Sequence, residues 1–164
     1  MIARTLIASL CVVAAVVATS TRSEAPFSIR AFAHGNHTFA AGEPGDPKRP
    51  FRIVEILMTD GPGTMAYAPG RLEIKRGEQI RFVLKNVGLV DHEFLIDSFA
   101  NNAKHRKDME KHADMQHDEP NGARLKPGMT TEILWRFNKA GTFEFACLIP
   151  GHYKSGMKGT FVVK

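Results

Sequence analysis

Cys147-Leu148-Ile149-Pro150-Gly151-His152-Tyr153-Lys154-Ser155-Gly156-Met157 places a thiol, an imidazole and a thioether in one turn-rich segment, at Cys-x4-His-x4-Met spacing. These donors are soft, and soft donors select copper over the oxygen-seeking cations. An electron-transfer copper site uses two His and one Cys in a trigonal set, with a long axial Met. The segment therefore offers three of the four donors. It is also bracketed by strand patterns. Thr142-Phe143-Glu144-Phe145-Ala146 leads into Cys147, and Gly159-Thr160-Phe161-Val162-Val163 follows Met157. A donor-rich loop between two strands sets the terms on which the rest of the chain is read.

Working back from the loop, the strand pattern recurs. Ile133, Trp135 and Phe137 alternate with Glu132, Leu134 and Arg136, after a turn at Lys126-Pro127-Gly128. Ile80, Phe82 and Leu84 alternate with Arg81, Val83 and Lys85, as a half-buried strand requires. Residues 51–58, 72–75 and 92–96 are further short runs rich in apolar and β-branched residues, each bounded by turn formers. Many short strands at regular spacing predict an all-β fold, a Greek-key antiparallel β-sandwich. One stretch, around 98–122, has no strand pattern. Its helix formers from about Ala100 to Met115 predict a helical insert, with His105, Met109 and His112 at i, i+4 and i+7 on one face. Met115 and His117 follow. Such a face is ordinarily just solvated, but its thioether and imidazole groups also suit an auxiliary Cu(I) site.

At 164 residues the chain is long enough for one domain with a core and too short for two of ordinary size. A charged fraction of 24% against 43% hydrophobic places it among soluble globular proteins. The net charge of +5 comes from basic residues scattered among acids, so nucleic acid is not an expected partner.

Residues 1–24 read as an export signal: Arg4 supplies the positive start, Leu6 to Ala18 the apolar run, and Ala18-Thr19-Ser20 small residues for cleavage. The run is shorter than the ~20 apolar residues a bilayer span needs, so no span is expected in the mature chain. Removing the signal removes Cys11 and leaves Cys147 as the lone thiol, which cannot form an internal disulfide. Residues 25–50, with Gly42-Glu43-Pro44-Gly45-Asp46-Pro47 and the pair His34 and His37, read as a flexible His-bearing arm. The domain proper is expected over 51–164. The candidate for the second histidine of a copper site is His92, in Asn86-Val87-Gly88-Leu89-Val90-Asp91-His92-Glu93-Phe94, which a sandwich can bring beside the Cys loop.

The combination of Asn86…His92 with Cys147-x4-His152-x4-Met157 resembles the cupredoxins, the small blue-copper proteins, over roughly residues 51–164. The Cys-Leu-Ile-Pro-Gly-His stretch is similar to the azurin and auracyanin side of that family. The arm, Asp91-His92-Glu93-Phe94 and the Met/His-bearing insert resemble bacterial periplasmic cupredoxins linked to copper tolerance. The resemblance implies one type 1 copper per chain, with His92, Cys147 and His152 as equatorial ligands and Met157 axial. It implies an exported, periplasmic protein performing one-electron transfer, or alternatively one that binds or sequesters copper with auxiliary Met/His sites. Expected partners are redox or copper-handling proteins, and a monomer is expected. Glu93 stands where plastocyanin-like members often carry Asn or Ser.

An enzyme is not expected. Multicopper oxidases and copper nitrite reductases build further copper sites from histidines flanking the Cys, and here the neighbours are Ala146 and Leu148. A binuclear site would need a second loop cysteine. A Cys-His hydrolase would place its Cys at a helix N-terminus, whereas Cys147 ends a strand pattern.

Overall fold

The computed structural model describes residues 39–112 and 119–164. The expected signal, His34, His37, Met115 and His117 lie outside the described residues. Among the described residues, ten strands and one helix occur in the order β1 (Glu43–Pro44), β2 (Arg52–Gly61), β3 (Thr64–Ala68), β4 (Arg71–Ile74), β5 (Gln79–Asn86), β6 (His92–Asp97), α1 (Phe99–Lys111), β7 (Gly122–Leu125), β8 (Thr130–Arg136), β9 (Gly141–Ala146) and β10 (Lys158–Val163). They form two five-stranded sheets, β1-β8-β5-β2-β3 and β4-β10-β9-β6-β7.

The alternation read from sequence decides which side chains fill the space between the sheets. Val54, Ile56 and Met58 of β2, Ile80, Phe82 and Leu84 of β5, and Ile133 and Trp135 of β8 are all buried. Facing them are Phe94, Phe143, Phe145 and Phe161 of the second sheet. Phe145 and Phe161 stack with centroids 4.6 Å apart, and Phe82 lies 5.5 Å from both Phe94 and Phe161. Offset and edge contacts of this kind favour aromatic cores beyond the area they bury.

The sandwich is as expected, but its sheets are mixed. β2 pairs parallel with β5, Arg52 opposite Ile80 through Met58 opposite Asn86, and β4 pairs parallel with β10. Alternation reports the buried face of a strand and not its direction. Direction is set by the connection: the chain leaves β3, crosses to the second sheet as β4, and returns as β5 alongside β2.

Three short strands carry no pattern strong enough to read. β3 pairs with β2 across the turn at Pro62-Gly63, with Gly61 opposite Thr64, and buries Tyr67 between exposed alanines. β7 pairs with β6, with His92 opposite Leu125. β1 belongs to the segment read as the end of the arm. From Phe39 to Pro50 that segment lies on the sandwich: Glu43 and Pro44 pair with Arg136 and Trp135, and Phe39 meets Trp135 edge-on at 5.2 Å. The Asp46 amide donates to Gln79 Oε1 at 2.6 Å. Proline is tolerated here because β1 is an edge strand.

The helical insert forms as α1. Ser98 caps it, its hydroxyl accepting from the Asn101 amide at 3.1 Å, and Lys111 sits in the last turn where a cation suits the helix dipole. The chain returns through Asn121, whose Nδ2 donates to the Ile96 carbonyl at 2.9 Å. No helix among the described residues is long and apolar enough to cross a membrane.

Candidate metal centre

Strand ends and two loops meet at one end of the sandwich. His92 opens β6, Cys147 directly follows β9, and the 147–157 loop returns to β10 through Met157. Ligand atoms of His92, Cys147 and His152 all lie within 4.8 Å of one another. Cys147 Sγ is 3.4 Å from His152 Nδ1, and the two imidazole rings meet edge-on with centroids 5.3 Å apart. His92, Cys147 and Met157 are fully buried, while His152 is only half-buried, so its ring is where the cluster reaches solvent.

The loop's shape is fixed by its own backbone. Cys147 donates to the Met157 carbonyl at 3.1 Å, Met157 to the His152 carbonyl at 3.1 Å, and His152 to the Ile149 carbonyl at 3.1 Å. The Met65 amide, on β3, donates to the Ser155 carbonyl at 2.8 Å and ties the loop to the first sheet. Gly156, at φ +102°, sits where a Cβ would come within 3.0 Å of the Met65 carbonyl, so a side chain there is doubly disfavoured.

Three residues that sequence reading did not assign complete the surroundings. Asp60, at the end of β2, places Oδ2 2.9 Å from His92 Nε2. Glu93 is buried. Its backbone N–H donates to Cys147 Sγ at 3.3 Å and its Oε2 accepts from the Leu148 amide at 3.1 Å. Glu93 thus holds both the cysteine sulfur, through its amide, and the backbone that follows the cysteine, through its carboxylate. Asn86 holds the approach loop, its Nδ2 donating to the Val90 and Leu125 carbonyls at 2.8 and 2.9 Å and its Oδ1 accepting from Gly88 at 2.9 Å. Asp60 sits beside Gly-Pro-Gly and reads in sequence as one more turn former; only strand pairing sets it against His92.

The donor set fits a soft metal. His92 Nδ1 is buried without a hydrogen-bond partner. A proton on Nε2, facing the Asp60 carboxylate, would leave the Nδ1 lone pair free to ligate. Burial pushes the Cys147 thiol up to about 12, against the pull of the Glu93 and Ile149 amides. His152 is held below the ordinary imidazole range, by burial first and then by His92 and Arg124. Asp60 is held below the usual carboxylate range. Desolvation opposes its ionisation, and hydrogen bonds from the Leu89 amide, His92 and the Val90 amide outweigh it. Two imidazoles and a buried thiol in this arrangement suit a soft cation that can replace the thiol proton.

The helix residues separate from this cluster. Met109 is buried against Leu95, Ala146 and Leu148, His105 is half-buried, and His112 is exposed at the helix C-cap. Met109 thus serves as packing for α1. The helix also reaches the ligand loop: buried Glu144 accepts from Asn102 Nδ2 at 3.0 Å and from the Tyr153 hydroxyl at 2.8 Å. Tyr153 follows His152 directly, and Arg106 lies over its ring at 4.2 Å.

Residues 54–164 match the model of the copper-binding plastocyanin/azurin family. The chain belongs to that family, the cupredoxins, and its metal is copper. Among relatives, it is 40% identical to the copper-resistant cuproprotein CopI of Rubrivivax gelatinosus, over 98% of both chains. It is 34% identical to a protein of the same name from Pseudomonas aeruginosa, over 84% of this chain and 90% of the relative. Of solved structures, auracyanin B aligns with a TM-score of 0.60 at 25% identity, covering 77% of this chain and 98% of that one.

Proposed function

We propose that this chain is an exported, periplasmic cupredoxin that holds one type 1 copper and passes single electrons in the service of copper tolerance. The observation that carries the reading is the convergence of His92, Cys147 and His152 at one end of a rigid sandwich. His92, Cys147 and His152 would hold the copper, with Met157, buried where the loop rejoins β10, as its weaker fourth donor. Residues 1–24 act as the export signal, which leaves Cys147 free of any disulfide partner.

When bound, copper would supply a one-electron couple between Cu(I) and Cu(II), its potential tuned by the Met157 donor and the bonds to the cysteine sulfur. The chain's own residues do the rest. Glu93 N–H holds the sulfur, and the loop's internal hydrogen bonds keep the donors in place whether or not an electron has moved. His152, half-buried, offers the short route from the interior to a partner. With Ala146 and Leu148 on either side of Cys147, no flanking histidine is available for a further copper site, and the protein is a carrier and not an enzyme.

The visible spectrum tests this reading. The mature protein with Cu(II) should develop an intense thiolate-to-copper band that is absent from Cys147→Ala. A colourless parent, or a coloured C147A, overturns it. The copper-resistance names of the relatives favour a second reading, sequestration of copper, for which His34, His37, His105, His112, Met115 and His117 would add sites. Titration separates the two: a plateau at about one copper per chain supports the carrier, and a higher plateau supports storage.

A further inference from the structure

Asp60 is built against the back of His92 more elaborately than orientation of a ring requires. Its Oδ2 lies 2.9 Å from His92 Nε2 and also accepts from the Leu89 amide at 2.7 Å and the Val90 amide at 3.3 Å. The 88–90 turn is folded around it so closely that a Cβ on Gly88 would fall 1.9 Å from Asp60 Oδ2 and 2.9 Å from His92 Nε2. His92 is fully buried and the Asp60 side chain is only 11% exposed, so little water screens the pair. A neutral acceptor would orient the ring equally well. A carboxylate adds a negative charge on the far side of the imidazole from the donor atom.

We infer that Asp60 is a positioning residue that fixes the ligating tautomer of His92 and biases the bound copper towards Cu(II), lowering the reduction potential of the site. The inference rests on the copper-site reading given above. A carboxylate that accepts the outer N–H of a ligating histidine orients the ring and raises its basicity, and the more basic donor favours the more highly charged ion. The gap beside Gly88, too small for a methyl group, keeps carboxylate and ring in direct contact.

Asp60→Asn keeps an acceptor at the site and removes the charge. In the copper-loaded protein it should shift the preference towards Cu(I) by tenfold or more, a rise of about 59 mV or more in a one-electron couple. The thiolate-to-copper band should persist. Gly88→Ala, which pushes the carboxylate away, should shift the potential in the same direction. In the copper-free protein, ¹⁵N shifts of the His92 ring should place the proton on Nε2 in the parent and on a mixture of the two nitrogens in Asp60→Ala. An unchanged potential in D60N overturns the inference, as does a copper-free parent with its proton on Nδ1. A role limited to capping the 88–90 turn would lower stability and leave the potential where it was. If the parent binds no copper, the copper reading fails by itself, and the tautomer measurement still decides the role of Asp60. If D60N does not fold, that same measurement decides on the parent.

Discussion

If Cys147 binds the copper as proposed, it must pass from thiol to thiolate, and its surroundings set the cost of that step. Burial, only partly offset by two amide donors, holds the thiol proton up to a pKa of about 12, so the copper-free side chain is neutral throughout the physiological range. Since His152 is held below the ordinary imidazole range, it has no proton to give up at pH 7 to 8. Copper binding near neutrality should therefore release about one proton from Cys147. Apparent affinity should rise about tenfold per pH unit in that range, because a lower proton concentration favours the thiolate. Calorimetry in buffers of different ionisation enthalpy reads the proton count, and Cys147→Ser should remove this contribution.

At the scale of elements, the ligand loop is held between two supports. β3 grips it through Met65 and Ser155, and α1 grips it through the Asn102–Glu144–Tyr153 chain. Met109 seats the helix on β6 and β9, packed against Leu95, Ala146 and Leu148. Met109→Ala should cost about 2–5 kcal/mol, the usual range for emptying a buried methionine site. Urea denaturation measures that loss, and the copper plateau should stay where it is in the parent. A fall in copper stoichiometry with unchanged stability would instead place Met109 among metal donors.

Across the whole molecule, the end remote from the metal centre is fastened by charge. Arg52, at the start of β2, donates through Nε to Glu78 Oε1 at 2.7 Å and through an Nη to the Glu73 carbonyl at 3.1 Å, linking the first sheet to β4 of the second. Glu78 also accepts from the Lys75 amide at 2.8 Å. Although desolvation opposes it, hydrogen bonds from Arg52 and Lys75 hold Glu78 below the usual carboxylate range. A carboxyl depressed in the folded state stabilises above its unfolded pKa of about 4.3, and that contribution is lost as pH falls through the lower folded value. In the window between the two, the unfolded chain binds more protons, so stability rises with pH. Since the pair is partly exposed, the contribution is below about 1 kcal/mol. Unfolding free energies of Glu78→Gln and the parent, measured from pH 6 down to pH 3, should converge as the parent loses it.

Sequence alone determined the sandwich, and it singled out the 147–157 loop and His92, which the fold brings together. Each is written locally: in Cys-x4-His-x4-Met, in the alternation of Ile80, Phe82 and Leu84, and in the turn residues between runs. Only the tertiary structure decided which strands run parallel, that Glu43 and Pro44 pair with β8, and that Met109 is core. Burial patterns are silent on strand direction, and a methionine at helical spacing reads alike whether it meets a metal or a leucine. Asp60 is the sharpest case. It lies 32 residues before His92, and nothing local distinguishes it from a turn former. Its contact exists because β2 runs parallel to β5 and ends where β6 begins, bringing a carboxylate to the back of an imidazole.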